Sequence, residues 1–194
     1  MKIGVIFIVI LVFTTWGCSD TSTITEVKDM PNSSVTQNVT TEPNWIQLPE
    51  PKYPTLSKTF EKTKLIKADS DCFIQIYEEY EDVNGNQIIV AARIVFSAGT
   101  LDEDTEITMK LNDRSGVLTF TPHMNFNNNA ILSMFAKNPK LVGIDEDDIS
   151  FHYLSSDGTY ESVDVNKLKI NGEKGQLRLL EAELPHFSRY GFTR

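Results

Sequence analysis

The dipeptide Asn84-Gly85 sits between two runs of strand-forming residues, 72–80 and 87–96, and limits the fold more than any other feature. Both residues accept positive φ, as a tight hairpin turn demands, so the two runs are expected to pair as antiparallel neighbours. The same rhythm continues toward the C-terminus. Short β-rich runs fit strands over 106–111, 117–121, 149–154, 159–165, 167–170, 176–183 and 187–192. Ser156-Asp157-Gly158 and Asn171-Gly172 supply turns between them. One segment, 129–137, breaks the pattern: its composition is helical and its apolar residues recur near i, i+3 and i+4, which predicts a short helix or an irregular crossover. Many short strands with one crossover predict an all-β domain, an antiparallel β-sandwich over residues 58–194.

The other end of the chain reads differently. Met1-Lys2 is a short basic start, and residues 3–13 form an apolar run with the length of a signal-peptide core, too short for the roughly 18–20 residues that span a bilayer. Gly17-Cys18 then places a small residue directly before a cysteine, an arrangement that resembles the lipobox of bacterial lipoproteins. That resemblance implies removal of residues 1–17 and acylation of Cys18. Each buried methylene of an acyl chain contributes about 0.8 kcal/mol, so two or three chains anchor a protein without spanning the membrane. Residues 18–57 are rich in Thr, Ser, Asn and Pro, lack any apolar period, and predict a flexible tether. Within it, Trp45-Ile46 and Tyr53 fit equally well as residues packed on the domain or exposed in the tether. The expected location is the bacterial cell envelope.

Charge narrows the partners. With 18 Lys+Arg against 27 Asp+Glu, the net charge is −9, which argues against nucleic-acid binding. Two cysteines make no disulfide framework; Cys72 reads as a small core residue. No cofactor motif, phosphate loop or catalytic elbow occurs, and none of the Cys and His spacings suits zinc.

Three segments, read in order, resemble the ZU-five type of β-sandwich shared by ankyrins, netrin receptors and zonula-occludens proteins. They are Phe96-Ser97-Ala98-Gly99-Thr100-Leu101-Asp102-Glu103-Asp104, then Leu118-Thr119-Phe120-Thr121-Pro122 running on to Ala130-Ile131-Leu132, and the ending Pro185-His186-Phe187-Ser188-Arg189-Tyr190. The chain departs from the family pattern at Ala98 and Asn129, where proline is usual. The resemblance implies a scaffold or contact module that binds an envelope protein or a surface polymer, with no catalytic activity.

It also implies one chemical alternative. Some relatives cut their own backbone before a serine in a His-Phe-Ser context. Carried over, Ser188 would attack the Phe187 carbonyl, His186 would act as base, and water would hydrolyse the resulting ester. The simpler reading makes Phe187 a core residue of the last strand, with His186 and Ser188 sharing one strand face. The acidic runs Asp102-Glu103-Asp104 and Asp145-Glu146-Asp147-Asp148 raise calcium as a further possibility, with Asp145, Asp147 and Asp148 as candidate ligands. Neither run has the alternating spacing of an EF-hand loop, so solvated acidic loops are the plainer expectation. His123 and His152 have no neighbouring ligand residue and read as surface histidines.

Overall fold

The computed structural model describes residues 43–53, 60–155 and 159–194. Cys18, the expected signal peptide and most of the tether lie outside the described residues, as does the expected turn at 156–158. Eleven strands are described: β1 Phe60–Ile66, β2 Cys72–Glu81, β3 Gln87–Phe96, β4 Thr105–Leu111, β5 Leu118–Thr121, β6 Asn125–Lys137, β7 Ser150–Leu154, β8 Tyr160–Ser162, β9 Val165–Asn171, β10 Gln176–His186 and β11 Arg189–Thr193. They form two antiparallel sheets, one ordered β1-β4-β5-β11-β7-β8 and the other β2-β3-β6-β10-β9. The chain is an all-β sandwich. Among the described residues, no helix is long and apolar enough to cross a membrane.

The hairpin expected at Asn84-Gly85 forms, with positive φ at Gly85 and not at Asn84. Gly85 has φ of 81°, and Asp82 braces the turn by accepting from the N–H groups of Asn84 at 2.9 Å and Asn86 at 2.8 Å. Those hydrogen bonds, led by the one from the Asn86 side chain, hold the Asp82 carboxyl below its ordinary pKa. Strands β2 and β3 pair residue for residue from Cys72 opposite Phe96 to Glu81 opposite Gln87.

The short helix or irregular crossover expected at 129–137 is overturned. These residues belong to β6, a long strand held between β3 and β10. Its side chains alternate: Ala130, Leu132, Met134 and Ala136 are buried, while Ile131, Ser133, Phe135 and Lys137 are half-buried. Ala, Leu and Met favour helices in isolation, but this segment pairs with a strand on each side, and pairing outweighs intrinsic propensity. Residues 146–148 form the one short helical element described, a single 3-10 turn over Glu146–Asp148.

The core lies between the sheets. Ile74, Ile76, Val90, Ile94, Leu132, Leu177 and Leu179 face Ile107, Met109, Leu118, Phe120, Phe151 and Tyr190. Fully burying each such side chain contributes about 1.5–3 kcal/mol. Part of the expected tether joins this body. Trp45 bridges to Thr193, the Ile46 N–H donates to the Phe192 carbonyl at 2.8 Å, and Trp45, Ile46 and Leu48 are buried. Strand β5 pairs with β11 only at Arg189 and Tyr190, so the segment around Trp45 takes up the rest of β11's edge. Tyr53 stays exposed.

Candidate functional site

Strand β10 ends in one sheet and β11 begins in the other, so the chain crosses the sandwich at Phe187-Ser188. This corrects the expectation of one continuous strand carrying His186 and Ser188 on a shared face. Phe187 is the pivot. Its ring stacks on Phe120 at 4.9 Å and meets the Phe126 ring edge-on at 4.7 Å. Its N–H donates to the Met124 carbonyl at 2.9 Å, and its carbonyl lies 3.3 Å from His123 Nδ1.

The two candidate catalytic side chains point into different networks. The buried Ser188 hydroxyl donates to the Leu154 carbonyl. The Tyr190 hydroxyl donates to the His186 carbonyl at 2.6 Å and lies 3.2 Å from His186 Nδ1. The Tyr153 ring packs against the imidazole at 4.6 Å. Burial lowers the His186 pKa, so the ring is neutral at pH 7, and burial raises the Tyr190 hydroxyl far above its ordinary value. Among the described residues no hydrogen bond links His186 to Ser188. A cavity of about 430 Å³ opens beside His186, Tyr153 and Tyr190, but Ser188 does not line it.

The acidic runs serve the fold. Asp104 pairs with Lys67 and accepts from the Ala68 N–H at 3.0 Å, while Asp102 accepts from the Asn127 amide at 2.8 Å. Asp145 caps the 3-10 turn by accepting from the Asp147 N–H at 3.3 Å, and Glu146 accepts from the Gly172 N–H at 2.6 Å. Among the described residues no three His, Cys, Asp or Glu side chains converge to hold a metal ion.

His152 is half-buried, with Nδ1 2.7 Å from the Thr193 hydroxyl and Nε2 3.3 Å from the Ser162 hydroxyl. Burial lowers its pKa as well. His123 is exposed beside the Phe187 carbonyl, and Cys72 is a half-buried free thiol packed against the core.

The outer face of the five-stranded sheet is the feature that sequence reasoning missed. Tyr77, Ala91, Phe135, Arg178 and Lys169 lie in register across β2, β3, β6, β10 and β9. A second row sets Phe73 beside Val95 and Ile131, and between the two rows Gln75, Arg93 and Ser133 line up. Phe73 and Tyr77 are 42% and 54% exposed, large values for aromatic rings standing on a sheet.

Cations lie over these rings. The Arg93 guanidinium is 4.2 Å from the Phe73 centroid, Lys64 Nζ 4.8 Å from the same ring, and the Arg178 guanidinium 5.3 Å from Phe135. A signal was available. The run Gln87–Phe96 is apolar at both strand parities, a pattern that belongs to strands covered on both faces.

Comparison with family models, with curated proteins and with solved structures finds no match to this chain. The geometry of the sandwich therefore carries the functional argument.

Proposed function

We propose that this chain is a lipoprotein of the bacterial cell envelope, acylated at Cys18, whose β-sandwich is a binding module of the ZU-five-like kind rather than an enzyme. One observation carries the binding reading. The outer face of the five-stranded sheet exposes Phe73 and Tyr77 beside half-buried Ala91, Val95, Ile131 and Phe135. Large aromatic side chains left exposed among aliphatic ones on a sheet face mark a contact surface. The corner at Phe187-Ser188 supports the non-enzymatic side, since its polar atoms are engaged in joining the two sheets.

Two measurements test the reading. The mass of the chain extracted from its native membrane is expected to begin at Cys18 with added acyl chains; an unacylated chain overturns the anchor. A photo-crosslinking residue at Tyr77 is expected to capture an envelope component, and one at the exposed Glu103 is not. Equal capture at the two positions, or none at Tyr77, overturns the assignment of the face.

A further inference from the structure

We propose that the cavity at the hairpin end of the sandwich is a second binding site, one that takes a basic peptide segment with apolar side chains at its centre. The site is separate from the outer sheet face, and its test does not depend on what that face binds.

The cavity is the first argument. Four segments meet at this end: the 82–86 turn between β2 and β3, the 138–149 connection from β6 to β7, the 171–175 turn between β9 and β10, and Pro49. Pro49, Pro139, Leu141, Ile144 and Ile149 supply apolar walls around about 640 Å³. Pockets that bind ligands fall in this size range and combine apolar walls with a few placed polar groups. The walls are tied to one another within the fold. The Asn138 N–H donates to the Gly175 carbonyl at 2.6 Å, and its side-chain amide donates to the Gln87 carbonyl at 2.8 Å. The Gly172 N–H donates to Glu146 at 2.6 Å, and the Lys140 N–H to the Gln47 carbonyl at 2.8 Å. A site held in this way needs little ordering when it is filled.

The groups that the fold leaves unused point to the occupant. Val142 lines the cavity and is 98% exposed, so its side chain adds nothing to the core and offers apolar surface to a partner. Charge at this end is one-sided. Asp82, Asp145, Glu146, Asp147, Asp148 and Glu173 stand against Lys140 and Lys174, six carboxylates to two ammonium groups. The amides that hold Asp82, Asp145 and Glu146 are neutral, so those carboxylates keep their charge. Among the described residues, the Glu173 carboxylate has no partner, nor has the Asn84 side-chain amide, and both residues line the cavity. An apolar centre beside excess negative charge complements a segment in which Lys or Arg flanks apolar residues. The Asn84 amide offers the donor and acceptor that a peptide bond pairs with. A cationic amphiphile would leave that amide unpaired. A divalent cation fits less well still, because no three ligand side chains converge among the described residues.

The test uses the full acylated chain in phosphatidylcholine nanodiscs and a fluorescein-labelled peptide, Lys-Lys-Leu-Phe-Lys-Lys, read by anisotropy against empty nanodiscs. Two comparison probes carry Ser-Ser at the centre or Glu in place of every Lys. The first peptide is expected to bind about tenfold more tightly than either. V142D and E173K change exposed residues and are each expected to weaken binding about tenfold, with the melting temperature close to that of the parent. E103K, in the loop at the far end of β3, is expected to leave binding unchanged. Equal binding of the Ser-Ser peptide, with no effect of V142D, reduces the interaction to general charge attraction and overturns the cavity as the site. Tighter binding of the Glu peptide overturns the ligand class, and absence of binding to all three overturns the site. Self-association of the chain that V142D abolishes, seen by sedimentation, makes the occupant a second copy and overturns the peptide assignment.

Discussion

The two ends of β10 lie in one strand and have opposite characters. At its beginning, Arg178 stands on the outer face above Phe135, and among the described residues its guanidinium has no ion-pair partner. At its end and just beyond it, His186, Phe187 and Ser188 are held by contacts with Tyr190, Phe120, Met124 and Leu154. Residue types alone make the second region the more reactive, since it holds an imidazole and a hydroxyl. The structure reverses that ranking. A polar group whose partners are fixed by the fold serves stability, whereas a charged group left without a partner on an apolar face is available to a ligand.

The sharpest way to break this comparison is at Phe187. Replacing it with Ala removes a ring that touches Phe96, Phe120 and Phe126 and leaves a cavity between the sheets. The expected loss of unfolding free energy in urea is about 3–5 kcal/mol. A loss under 1 kcal/mol would mean that the corner is not the joint between the sheets.

Ser188→Ala comes next. It removes a hydrogen bond from a buried hydroxyl to the Leu154 carbonyl, at a cost of about 0.5–1.5 kcal/mol. If the corner is structural, intact mass shows the parent chain and the variant both ending at Arg194. If the parent ends at Phe187 and the variant does not, Ser188 is a nucleophile and the comparison between the two ends of β10 is reversed.

These expectations also show which parts of the structure the sequence carried. Strands β2 and β3 were readable because Asn84-Gly85 dictates a turn between two runs of strand-forming residues. Strand β6 was not, because Ile131 and Phe135 on the outer face interrupt the alternation with buried Ala130, Leu132, Met134 and Ala136, and that hides a period of two. Strand β1 was missed because four of its seven residues are polar or charged and it pairs only with β4 at a sheet edge. Trp45 is buried because Thr193 offers a free edge, a fact that lies 148 positions away in the chain. The outer face escaped for the same reason. Tyr77, Phe135 and Arg178 come to one row only after four strands have been placed in register.

Histidine titration gives a smaller effect that sharpens the account of the corner. The pKa values of His152 and His186 are held below the ordinary 6.5 by burial. The unfolded chain therefore binds more protons than the native one just below pH 6.5, and stability is lost as pH falls from there through the folded values. The melting temperature is expected to be level above pH 7 and to decline between pH 6.5 and 5. The Asp82 and Asp104 carboxyls are lowered from 3.8, so their contribution is lost only at more acidic pH and does not overlap this window. His152→Gln should flatten part of the decline. An unchanged profile would show that the imidazoles are not desolvated.

The smallest effect belongs to the other end of β10, and its smallness is the point. Arg178→Gln removes a charge from an exposed position whose only contact described is with the Phe135 ring. Surface substitutions of this kind change stability by no more than about 0.5 kcal/mol. The Phe135 ring loses a covering cation, an interaction of about 0.5–1 kcal/mol at exposed sites, and the glutamine stem replaces part of the contact. A measured loss well above 1 kcal/mol in urea would make Arg178 part of the fold and place both ends of β10 in the same structural role. A near-zero change means the guanidinium contributes little to the folded state, as the proposed contact role of this face requires.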